Sequence, residues 1–193
     1  MANTYLLSDE AKRYLCCYYQ ILDGMIQSVS AARLTQSISH NYIVQSIPRR
    51  RAAVRLCRNL LEVSNDGAVR CLAQRVAARE AEAAETLEAE LTNADQLTSP
   101  QMDLRLFQRR SDLISRELYA QMGAVPEGSQ VDVMFLRQMI PHRQGGLRAA
   151  RTALQYEVST GLAPLLRSAI DAQSREVGQL RAFLSRRGCQ RCQ

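Results

Sequence analysis

The side chains able to do chemistry in this chain are few, and most stand late in it. His142 is one of only 2 histidines among 193 residues. Met139 precedes it by one helical turn, so a thioether and an imidazole share one helix face, donors that suit copper(I). Cys189-x-x-Cys192 follows Gly188 and supplies half of a zinc site. Met139, His142, Cys189 and Cys192 are therefore the candidate ligands for copper or zinc. A plainer reading makes His142 a polar residue hydrogen-bonded inside a bundle to Gln173 or Glu176, and the two cysteines free thiols. Arg143 interrupts the same apolar face. If it and Arg50 are buried they need counter-charges, and Glu176 and Glu82 are the candidates on the helices that follow. Otherwise both arginines reach out to solvent from the edge of the face.

These residues need a helical frame, and the spacing supplies one. Val131 to Ala153 carries two interleaved apolar stripes at helical period, Phe135, Met139, His142, Gly146 and Ala149 beside Leu136, Ile140, Arg143, Leu147 and Ala150. Pro141 has no N–H and its ring crowds the carbonyl of Arg137, so a bend is expected just before His142. Gly145 and Gly146 open room for a neighbouring backbone.

Around this stretch the chain reads as helix throughout. Ser8 caps a first helix with a seam at Ala11, Leu15, Tyr18, Leu22, Met25 and Val29. A break at Arg33 to Ser37 leads to a second helix ending near Glu62. The Asn65-Asp66-Gly67 turn then leads to a third, running to about Leu91 with Glu80 to Glu90 as a solvated acidic outer face. Residues 93–101 lose the periodicity and form the linker. The pattern resumes with a fourth helix, the helix of His142, and a last one from about Leu162 to Arg186. Residues 44–64 and 137–157 align with Ile-Pro in the same place, which puts Arg49 opposite His142 and Arg50 opposite Arg143. The reading is two three-helix repeats: 1–92 as the first, 102–187 as the second, and 188–193 as a cysteine-containing tail.

Composition narrows the function classes. The chain is 46% hydrophobic with no Trp, 9 Gly and 5 Pro, which fits an all-α protein. It lacks an apolar run long enough to span a bilayer and a signal-peptide order at its start, so a cytoplasmic protein away from membranes is expected. The net charge of +6 comes wholly from residues 131–193, which hold 10 basic and 4 acidic side chains. That surplus is spread along helices rather than massed, so nucleic acid is not the expected partner. Of the 6 cysteines, Cys57 and Cys71 read as small buried hydrophobes on helices.

Asp132, Phe135, Met139, Ile140, Pro141, His142, Gln144 and Gly145, followed by Gln173 and Glu176, resemble the domain of unknown function 305 family, a set of ferritin-like helical proteins. The resemblance is good over 131–186, with 39–92 looking like a degenerate copy. It implies a ferritin-like bundle of about six helices. Family members carry a Met-x-x-His-His motif, and some are associated with copper or other metals. Here Arg143 stands at the second histidine, and Arg49 and Arg50 replace both in the first half. Methionines common later in the motif appear as Ala149, Leu180 and Leu56. A guanidinium offers donors only and cannot ligate a metal.

No nucleophile stands with a base, no glycine loop cradles a phosphate, and no Glu-x-x-His pair is present. The sequence therefore predicts a non-enzymatic bundle that acts through a protein partner or self-association, its metal site degenerate. The alternative is a soft-metal binding or buffering protein using Met139, His142 and the cysteines.

Overall fold

Serine and aspartate caps set where the helices begin. A computed structural model describes residues 7–124 and 130–189, with side chains to 186. Six helices make up the described residues: α1 (Asp9–Ser30), α2 (Ile38–Leu61), α3 (Gly67–Ala94), α4 (Gln101–Gly123), α5 (Val131–Ala153) and α6 (Leu162–Cys189). The Ser8 side chain accepts from the N–H of Ala11, Ser37 from His40, and Asp66 from Ala68 and Val69. Each cap satisfies an amide that the first turn leaves free. The protein is all-α, as its periodicity and composition predict. None of the described helices is long and apolar enough to cross a membrane.

α2 and α5 are the inner pair. α2 packs on α1, α3 and α5, while α5 packs on α2, α4 and α6. The predicted α1 seam is buried in full, from Ala11 to Val29. Two hydroxyls of α1 lock it onto the rest: Tyr14 donates to Gln138 Oε1 at 2.5 Å and Tyr18 to the Met122 carbonyl at 2.9 Å. The 93–101 connection is tied to the start of α2, since Ser37 Oγ donates to the Ala94 carbonyl at 2.6 Å and the Ile38 N–H donates to Ser99 Oγ at 3.1 Å.

The apolar core comes in two clusters, and each draws on residues before and after that connection. One gathers Leu15, Leu56, Leu72, Phe135, Met139 and Leu180. The other gathers Ile38, Ile43, Leu87, Phe107, Ala150 and Leu166. Along every one of the four helices between them the chain turns polar at the crossing: Arg49 and Arg50 on α2, Glu80 on α3, His142 and Arg143 on α5, Gln173 and Glu176 on α6. All seven are buried. A polar layer thus divides the core, and its chemistry is the question the fold raises.

Two details differ from expectation. Cys71 is exposed, on the outer side of α3, while Cys57 is fully buried as expected. Gly145 and Gly146 make room for side chains rather than backbone: an added methyl would stand 3.1 Å from Leu118 at the first and 2.6 Å from Gln173 Oε1 at the second.

Candidate functional site

Arg143 is the largest fully buried side chain, with 1% of its surface exposed. Its Nη1 lies 2.6 Å from Glu80 Oε1 and its Nε 2.9 Å from Glu176 Oε2. Arg50 shares the same Glu80 oxygen at 3.1 Å, and Arg79 closes on the other oxygen of Glu176 at 2.5 Å from the solvent side. A chain of alternating charge therefore runs Arg50, Glu80, Arg143, Glu176, Arg79. Burial alone would raise the Glu80 carboxyl, but the guanidiniums of Arg143 and Arg50, with a smaller effect from His142, hold it below its ordinary value. Burial would equally weaken the charge on Arg143, and Glu80 and Glu176 outweigh that, so it stays protonated.

The predicted partnership of Arg143 with Glu176 is present. Arg50, however, meets Glu80 rather than Glu82, which is exposed. The cause is register. Arg50 and Glu80 are 30 residues apart, Arg143 and Glu176 three more, so Glu176 lies opposite Glu80 rather than Glu82 in the first half. Glu80 accordingly does not belong to the solvated acidic face. A signal for this exists in the sequence: Glu80 follows Leu72 and Val76 at four-residue steps, on the inward stripe of α3.

His142 lies beside this chain. Its Nε2 is 3.2 Å from the carbonyl of Arg49. A carbonyl can only accept, so Nε2 carries the hydrogen and Nδ1 holds a bare lone pair in the neutral ring. Burial, reinforced by the Arg143 guanidinium and only partly opposed by Glu80 and by the hydrogen bond to the Arg49 carbonyl, pushes the imidazole down to about 4. It is neutral at pH 7. The expected hydrogen bond from His142 to Gln173 or Glu176 is replaced by the one to the α2 backbone, and Nδ1 has no hydrogen-bond partner among the described residues. Arg49 extends its own side chain to α4, where Nη2 donates to Ser115 Oγ at 2.7 Å. Ser115 and Arg79 are participants that the sequence reading missed, because neither lies near a motif.

A bare, buried Nδ1 is the atom a soft metal would take, but the surroundings do not suit a cation. The strongest charge acting on the ring is the Arg143 guanidinium, and both carboxylates of the layer are already held by arginines. Among the described residues no three His, Cys, Asp or Glu side chains gather as a ligand set. Met139 sits in the apolar cluster with Leu136 and Phe135. The Cys189 side chain and Cys192 lie outside the described residues. The residues present therefore do not fit a resident metal at His142. Cys57 offers no substitute, since burial raises its thiol to about 12, helped by Glu80 and Glu176 and opposed by Arg143.

Asp132, another motif residue, is structural as well: it accepts from Ser64 Oγ at 2.5 Å and ties the α2–α3 turn to the start of α5. The family described as "Domain of unknown function (DUF305)" matches residues 39–184. The chain belongs to this family. The match is a single range that begins in α2 and ends in α6, so it takes in the first-half segment and the 93–101 connection, and leaves α1 outside. The solved structure titled "Crystal structure of DUF305 fragment from Deinococcus radiodurans" is similar to this DUF305 chain at 23% identity. It covers 77% of this chain and 96% of its own, with a TM-score of 0.56, which establishes a shared fold. None of the curated proteins matches.

Proposed function

We propose that this DUF305 protein is a cytoplasmic, non-enzymatic bundle that works by docking an acidic, amphipathic segment of another protein on the outer face of α4. The observation that supports this is a stripe of exposed apolar side chains. Met102, Leu106 and Leu113 are 70%, 43% and 58% exposed. Spaced by four and seven residues, they fall on one side of the helix, while Phe107, Ile114, Leu118 and Met122 hold the opposite side in the core. Three of the five large exposed hydrophobics among the described residues thus stand on a single helix. Arg105, Arg109 and Arg116 run along one flank of the stripe and are exposed. An apolar row edged by arginines suits a helix whose own apolar row is edged by carboxylates. Two copies of α4 laid face to face would bring like charges together, so a different protein is favoured over self-association.

A photoreactive residue at position 106, with a matched probe at exposed Arg13 on α1, tests the reading in cells. The expected outcome is an adduct at position 106 only, mapped to an acidic amphipathic segment, and lost in Leu113→Asp. Equal labelling from both positions, or an adduct of the chain with itself through α4, would overturn it.

A further inference from the structure

Arg49 is 6% exposed, yet no carboxylate among the described residues pairs with it. Its side-chain bond is to the neutral Ser115 hydroxyl. The buried part of the layer holds three guanidiniums, Arg49, Arg50 and Arg143, against the two carboxylates of Glu80 and Glu176, while Arg79 reaches Glu176 from the solvent side. Excess charge at this depth is costly without a counter-ion. A cavity of about 20 Å³ lies where the arginines converge, walled by Arg49, Arg50, Arg143, His142, Gln173 and Glu80, whose carboxylate is already held by Arg50 and Arg143. That is room for one water-sized or chloride-sized particle. Arg49 Nε, Arg50 Nε and Arg143 Nη2 are buried N–H donors without a hydrogen-bond partner. The neighbouring cleft between α3 and α6, about 280 Å³ and open to solvent, shares Arg50, Glu80 and Gln173 with the cavity and offers a way in.

We propose that this cavity is a halide-sized anion site, in which a chloride ion supplies the counter-charge that Arg49 lacks. The wall also holds two acceptors without donors, His142 Nδ1 and Gln173 Oε1. The Gln173 amide presents its N–H₂ instead after a half-turn of its last torsion. A water molecule would serve those acceptors but leave the charge uncompensated, so water and halide are distinguished by anion dependence. The inference is independent of the α4 docking face, which lies on another surface.

The test is thermal unfolding in sodium chloride or bromide against sodium gluconate, at constant ionic strength and pH 7. Gluconate is far too large for the cavity. The expected result is a midpoint that rises with halide along a saturating curve, as for any ligand of the native state. Arg49→Met should remove the dependence whatever its own midpoint. Should that variant fail to fold, bromide-soaked crystals of the unaltered protein should show an anomalous peak between Arg49, Arg50 and Arg143. A midpoint indifferent to halide, a dependence that persists in Arg49→Met, or a bromide peak elsewhere would each overturn the site.

Discussion

α2 and α5 carry the same Ile-Pro step, and each follows it with two buried polar residues, yet the two pairs live in different electrostatic settings. On α5, Arg143 is enclosed between Glu80 and Glu176, and His142 is neutral. On α2, Arg50 has a single shared oxygen of Glu80, and Arg49 has no carboxylate. The helical frame tolerates both. What differs is how many counter-charges the following helices deliver, because Glu80 from α3 and Glu176 from α6 both converge on Arg143. A similar backbone position can thus hold an imidazole or a guanidinium, and the neighbours decide which is stable there. The polar layer in this chain is an ion-pair centre built just after the two Ile-Pro steps.

Glu80 is the hub that makes the two sides unequal, so removing its charge has the largest effect. Glu80→Gln leaves Arg50 without its carboxylate and Arg143 with half of its own. The expected loss is about 4 kcal/mol by urea unfolding, in the range for breaking a buried pair. A loss below about 1 kcal/mol would mean the layer is wetter than its burial indicates.

Acid should act next, first through His142 on α5. The His142 imidazole falls from 6.5 to about 4 on folding, so its contribution is present in full above pH 6.5 and is withdrawn as the pH drops toward 4. At about 1.4 kcal/mol per unit this amounts to about 3 kcal/mol. Below its ordinary value of 4.5, protonation of Glu80 withdraws stability in the same direction. In His142→Gln, whose amide can still donate to the Arg49 carbonyl, the decline between pH 6.5 and 4.5 should vanish. An unchanged slope would place the titrating group elsewhere.

The asymmetry itself is sharpened by replacing each arginine with methionine. Arg143→Met should cost more than Arg50→Met by about 2 kcal/mol, since only Arg143 is enclosed by two carboxylates. Equal costs would break the comparison between the helices. Smallest of all, Glu82→Gln should shift stability by less than about 0.5 kcal/mol, as expected of an exposed side chain away from the layer.

The frame of the molecule is legible in the sequence because helix caps and apolar spacing are local signals. Ser8 caps α1 as its type predicts, Ser37 and Asp66 cap the helices that follow the expected break and turn, and the stretch Val131–Ala153 is the helix α5. The polar centre is only half legible. His142 and Arg143 stand out because they interrupt an apolar face, and Gln173 and Glu176 because they fall in the family resemblance. Glu80 is hidden among the acids that follow it, and a carboxylate's depth depends on a helix register set by the length of the turn before it. Arg49 is hidden by its neighbours Arg50 and Arg51: three adjacent arginines read as a solvated run, but helical geometry turns Arg51 outward to Glu88 and the other two inward. His142 could be picked out as a polar site, but not its partner, because a backbone carbonyl on a distant helix leaves no mark in side-chain types.

A double-mutant cycle between Arg143 and Glu80, with Arg50 and Glu80 as its counterpart, measures the coupling on which this description of the layer rests. Stability of the single and double variants, with methionine for arginine and glutamine for glutamate, gives both interaction energies. The structure predicts about 2 kcal/mol or more for Arg143 with Glu80, and a clearly smaller value for Arg50 with Glu80. Coupling of Arg143 to Glu80 indistinguishable from zero would contradict an ion-pair centre on α5 and return the layer to a set of separately solvated charges.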